Sequence, residues 1–138
     1  MPHLPRPILD RIGSWSDIAQ ARFFDLRTLV HDVAAAADIG PLDESLKWGQ
    51  PAWRPCRPRT GSTLRADWSP AAPDRFDLFV DCKTDLAARV TEAFPRDFDS
   101  DGQRCLSVPL DRPLATDALW HLAFATLTYH RAKRLSAQ

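Results

Sequence analysis

Two of the chain's five tryptophans flank a glycine and a proline in Lys47-Trp48-Gly49-Gln50-Pro51-Ala52-Trp53, and no other segment restricts the fold as much. Each indole buries a large apolar area, and its N–H needs a partner. Gly49 allows close backbone approach, whereas Pro51 cannot donate to a central sheet ladder. The segment is therefore expected to be a bent, edge-type element. It serves either as a structural corner or as one wall of a binding site.

A chain of 138 residues, 44% hydrophobic and 26% charged, has the size of one domain (1–138) and the apolar content for one core. Eighteen basic and eighteen acidic residues cancel to a formal net charge of zero, which argues against a dedicated nucleic-acid or membrane binder. No stretch matches a signal peptide or a membrane span, so cytoplasmic residence is the expectation. Cys56, Cys82 and Cys105 are an odd number without Cys-x-x-Cys spacing. They are expected to be reduced thiols, with Cys82 and Cys105 packing as small apolar residues.

The Pro-rich residues 1–14 are expected to form an extended arm. A helix is predicted from about Ser16 to Ala37, capped by Ser14 or Ser16, with Ala19, Phe23, Leu26, Leu29, Val30, Val33 and Ala37 on one stripe. Asp17, Asp25, Thr28, His31 and Asp32 fall opposite, together with Phe24, which either shields a loop or meets a partner. Residues 54–62 read as a loop. Leu64, Ala66 and Trp68 alternate with Arg65 and Asp67, and Phe76, Leu78, Val80 and Cys82 with Asp77, Phe79 and Asp81, as in two antiparallel strands. Then come a helix over 83–94, a turn at Asp99–Gly102, a strand near Arg104–Leu110 and a largely buried helix from about Ala115 to Leu135. This order predicts an α+β fold: a small antiparallel sheet with helices packed mainly on one face.

From Lys47 to Arg65 the chain carries Lys47, Arg54, Arg57, Arg59 and Arg65 and no acidic residue. Beside Trp48 and Trp53 this set suits an anionic ligand, since guanidinium forks grip phosphate or carboxylate and indole stacks on a flat ring. The alternative is a solvated loop beside two core tryptophans. Trp48 and Trp53 would be the walls, Gln50 a hydrogen-bonding group, and Lys47 and Arg54 the anion contacts. His121, aligned with Ala125 and Thr128 on the last helix, would close the groove or serve as a hydrogen-bonded core residue. Asp97-x-Asp99-x-Asp101-Gly102 opens like a calcium loop, but Val108 stands where the bidentate Glu belongs, so a solvated turn is the better reading. Neither a Gly-x-Ser-x-Gly nor a His-Glu-x-x-His motif joins the available nucleophiles, bases and acids, so the enzyme reading is the weaker one.

Glu44-Ser45-Leu46-Lys47-Trp48-Gly49-Gln50-Pro51-Ala52-Trp53 resembles the opening motif of the bacterial YdhG-like family of unknown function. Asp77–Thr84, Asp101–Leu106 and Leu127–His130 are similar in order and spacing to later parts of that family, so the likeness runs over roughly residues 16–132. The resemblance implies an α+β fold with a curved antiparallel sheet, and a comparison with frataxin-like iron chaperones. Iron binding would need surface carboxylates, for which Asp17, Asp25 and Asp32, or Asp97, Asp99 and Asp101, are the candidates. The expectation that emerges is a small binding protein without a resident cofactor, taking an anionic small molecule. Iron delivery and a protein-interaction module are the alternatives.

Overall fold

The computed structural model describes residues 1–137. Their elements are α1 Arg6–Ile12, α2 Asp17–Ala37, β1 Leu42–Lys47, β2 Gln50–Pro55, β3 Leu64–Asp67, β4 Arg75–Phe79, α3 Leu86–Ala93, β5 Asp99–Ser100, β6 Cys105–Pro109, α4 Thr116–Leu127 and α5 Tyr129–Ser136. The strands pair antiparallel in one curved, open sheet ordered β1-β2-β3-β4-β6-β5. Leu64 and Ala66, Phe76 and Leu78, and Leu106 and Val108 are buried, while Arg65, Asp67, Asp77, Phe79 and Ser107 between them are half exposed. Because strand side chains alternate, this pattern puts the helices on one face and leaves the other open to solvent. The fold is α+β, as the pattern of runs predicts.

The α2 stripe behaves as its spacing requires: Ala19, Phe23, Leu26, Leu29, Val30, Val33 and Ala37 are all buried. Ser16 caps the helix through its hydroxyl, which accepts the Ala19 N–H at 3.2 Å. Asp38, in the left-handed region with φ 51°, ends it. Trp15 seals the end of the core, packing its ring against Phe23 and Phe76 at centroid distances of 5.8 and 5.9 Å.

Several expectations need correction. The 1–14 arm is not extended throughout, because Arg6–Ile12 is helical and buries Ile8 and Ile12, one turn apart. Its prolines do not prevent this: Pro5 precedes the helix and Pro7 falls in its first turn, where a missing N–H costs nothing. The Trp segment is the sheet edge only at Lys47, the end of edge strand β1. β2 lies between β1 and β3, but its register with β3 covers only Ala52↔Arg65 and Trp53↔Leu64, which leaves Pro51 outside that ladder. Cys82 is exposed rather than packed, since β4 ends at Phe79 and a turn closed by Thr84 N–H to Asp81 C=O redirects the chain.

The predicted final helix is two helices, broken at Thr128. The cause lies elsewhere in the chain, in the β2–β3 loop. Ser62 N–H donates to the Thr126 carbonyl and Arg131 N–H to the Thr60 carbonyl, both at 2.9 Å, so two groups that would continue a helical ladder bond the loop instead. Gly61 lies between those bonds, and a Cβ there would overlap the Leu127 carbonyl and sit 2.8 Å from its Cα. Only glycine lets the loop backbone come this close.

Candidate functional site

The Lys47–Trp53 segment forms a hairpin between β1 and β2, with Lys47 paired to Gln50. Trp48 and Gly49 fill its two-residue turn with φ 55° and 74°, the double positive φ that strand twist favours in such turns. Glycine adopts that conformation freely, but for a tryptophan it is an outlier with an energetic penalty. The Trp48 ring also stands 90% exposed at the tip. Trp53 is the opposite: fully buried on the helix-facing side, stacked on Phe23 with centroids 5.8 Å apart. The two tryptophans therefore do not form two walls of one groove, and Trp53 is the structural corner.

Trp53 belongs to a buried polar cluster that the sequence did not reveal as such. Its indole N–H donates to Glu44 Oε2 at 2.7 Å. Arg27 of α2 holds both oxygens of that carboxylate through Nε and Nη2 at 2.8 Å, and His31 Nε2 lies 3.2 Å from Oε2. Arg27 Nη2 also donates to the Pro2 carbonyl at 2.7 Å, tying down the start of the chain. Burial pushes the Glu44 pKa up, but the bonds from His31, Arg27 and Trp53 and the Arg27 charge outweigh it and bring it from 4.5 to about 2. The cluster fastens α2 to the β1–β2 hairpin. The one sequence signal for it was the spacing of Arg27 and His31 by four residues on α2, beside a lone glutamate in the hairpin.

On the open face of the sheet, a groove of about 610 Å³ takes in Lys47, Trp48, Gln50, Arg65, Phe79 and Arg104 among its lining residues. Arg65 donates to Gln50 Oε1 at 3.0 Å and lies over the Phe79 ring at 5.5 Å. Gln50 donates in turn to Asp67, and Asp67 accepts from Arg11, whose Nε reaches the Gly49 carbonyl at 2.9 Å. This chain of bonds holds Gln50 and Arg65 in place beneath the hairpin tip. Burial and the neighbouring Arg104 charge lower the Arg65 pKa from its ordinary value, against a smaller opposing pull from Asp81. The guanidinium stays charged at neutral pH. Among the described residues neither Arg65 nor Arg104 makes a salt bridge, and Asp81 is the one carboxylate lining the groove.

Lys47, Trp48 and Gln50 line this groove with Arg65, Phe79 and Arg104, and not a groove against the 54–60 loop and the last helix. Arg65 was legible from the acid-free run; Phe79 and Arg104 arrive only through the β3–β4–β6 pairing. Arg54 lines a separate cavity with Arg57 and Arg59. His121 is exposed on α4 against the Phe94 ring, 5.3 Å between centroids, and lines neither groove nor core. Ala125 packs against the core and Thr128 is buried, so the small residues there serve close packing and not a pocket.

The acidic candidates are dispersed or already used. Asp25 pairs with Arg22 at 3.6 Å on α2. The Asp101 carboxylate accepts the backbone N–H groups of Cys105, Gln103 and Arg104, which lower its pKa and shape the turn before β6. Among the described residues no three His, Cys, Asp or Glu side chains gather to hold a metal ion, and no helix is long and apolar enough to cross a membrane. Compared with family models, with curated proteins and with solved structures, the chain has no match in any of the three.

Proposed function

We propose that this chain is a small binding protein that holds an anionic, flat-ringed small molecule in the groove on the open face of its sheet. The observation that carries the reading is Trp48. A tryptophan that is 90% exposed and confined to positive φ is unfavourable twice over for folding alone. It lines the same groove as the Arg65 and Arg104 guanidinium groups, neither of which makes a salt bridge among the described residues. Trp48 would stack on the ring, Arg65 and Arg104 would grip the anion, Gln50 would bond a polar edge, and Lys47, shared with Asp43 at 3.3 Å, would supply longer-range attraction. Membership of the YdhG-like family remains part of the proposal and rests on the motif that builds this hairpin.

Titration of nucleoside monophosphates and sugar phosphates against tryptophan emission tests the reading. Trp15, Trp53 and Trp68 are buried and Trp120 is 36% exposed against 90% for Trp48, so stacking on Trp48 should quench the red edge of the spectrum, and Trp48→Phe should abolish that change. Replacing Arg65 and Arg104 together by Gln should weaken binding about tenfold or more, which corresponds to about 1.4 kcal/mol. Absence of quenching by every anion, or a wild-type titration in the double arginine variant, would discard the groove as a ligand site.

A further inference from the structure

A second basic cavity lies at the other end of the β1–β2 hairpin, away from Trp48. It measures about 630 Å³ and is lined by Asp43, Arg54, Arg57, Arg59, Gly61 and His130, with prolines between the arginines. From this geometry we infer a second, independent anion site that takes the oligophosphate group of a small molecule.

The loop between β2 and β3 is fixed at both ends: Cys56 N–H bonds the Pro41 carbonyl at 3.0 Å, and the Thr60 and Ser62 bonds anchor it to the α4–α5 junction. Pro55 and Pro58 stiffen it further, and Arg59 is held at φ 57°, in the left-handed region. Gly61 permits the close docking against Leu127. Gly40 makes room on the opposite side, because a Cβ there would lie 2.7 Å from Arg57 Nε.

The charges are therefore presented on a rigid frame. Arg57 is partly satisfied, donating to the Asp38 carbonyl at the C-terminal end of α2 at 3.4 Å. Arg54 and Arg59 make no salt bridge among the described residues, and the one carboxylate in the lining, Asp43, is engaged by Lys47. Three guanidinium groups facing one cavity repel each other, and a preorganised frame prevents them from spreading apart. Several negative charges in a row relieve that repulsion better than one. Phosphoryl oxygens match the forked guanidinium geometry in pairs. No Phe, Tyr or Trp ring lines this cavity and the His130 imidazole is its one ring, so the three guanidinium groups make the phosphate chain the main recognition element.

The experiment is calorimetric titration of the whole chain with inorganic tripolyphosphate at fixed ionic strength. The wild type should bind at one site in the micromolar range. Arg54→Gln with Arg59→Asn, asparagine being tolerant of the left-handed backbone, should lose about tenfold or more in affinity. Arg65→Gln with Arg104→Gln should leave this binding within about twofold, although it weakens the Trp48-reported binding in the sheet-face groove. If the loop pair unfolds by circular dichroism, Arg54→Gln alone, at an exposed strand position, must still reduce the affinity. Absence of heat from the wild type, unchanged affinity in the loop variant, or equal loss in both pairs would overturn the inference.

Discussion

Glu44→Gln is expected to destabilise the fold by about 3 kcal/mol at neutral pH, one of the largest effects open to a single substitution here. Gln fills the same space and can still accept the Trp53 N–H, but it leaves the Arg27 guanidinium buried without its counter-charge. The pH dependence follows from the carboxyl's pKa, which folding lowers from 4.5 to about 2. A depressed acid stabilises the native state fully above its unfolded value and loses that contribution as pH falls toward its folded value. The gap between wild type and variant should therefore be constant from neutrality down to about pH 5, shrink between pH 4.5 and 2, and vanish below. Chemical denaturation across that range measures it, and a gap that did not change with pH would remove the carboxylate charge as its source. Adding Arg27→Met to Glu44→Gln should restore part of the loss, since an apolar side chain no longer needs the missing charge.

Gly61→Ala should be comparably severe although it adds one methyl group to a loop. The new Cβ would overlap the Leu127 carbonyl, a backbone group that cannot rotate away, so the loop must lift off the α4–α5 junction. That movement breaks the Ser62–Thr126 and Thr60–Arg131 bonds together. A loss of about 3 kcal/mol, or about 10 °C in melting temperature, is expected. Tripolyphosphate binding at the Arg54–Arg59 loop should weaken with it, because the frame that gathers the arginines depends on the same docking. A variant that melts within about 1 °C of wild type would show that the loop does not approach the helix this closely.

Much of the fold was legible because apolar periodicity reports burial directly. The α2 stripe, the β3 and β4 alternation and the strand before Pro113 all follow from residue spacing, and a buried face must be contiguous to exclude water. The misreadings have a common origin. The α4–α5 break, the helical turn inside the proline-rich start and the interior position of β2 each depend on a distant segment supplying hydrogen bonds or apolar cover. No local pattern encodes such a partner. Thr128 does nothing by itself to end a helix; the docking of residues 60–62 ends it.

The candidate site divides along the same line. Lys47, Trp48, Gln50 and Arg65 could be drawn from one charge-skewed run because a hairpin and its neighbouring strand keep nearby residues together. The run does not form one surface, because strand alternation and the length of the hairpin split it. Trp53 turns to the core, Arg54 lies at the far end of the hairpin, and Arg65 shares a groove with Trp48 and with Arg104 from the turn before β6. His121 lies inside α4 on an exposed face against Phe94, and so does not reach the groove. What the amino-acid sequence determined alone was which residues must be hidden and where the chain must turn. Which polar groups meet was decided only by tertiary structure, because strand pairing and loop docking join segments that no period along the chain connects.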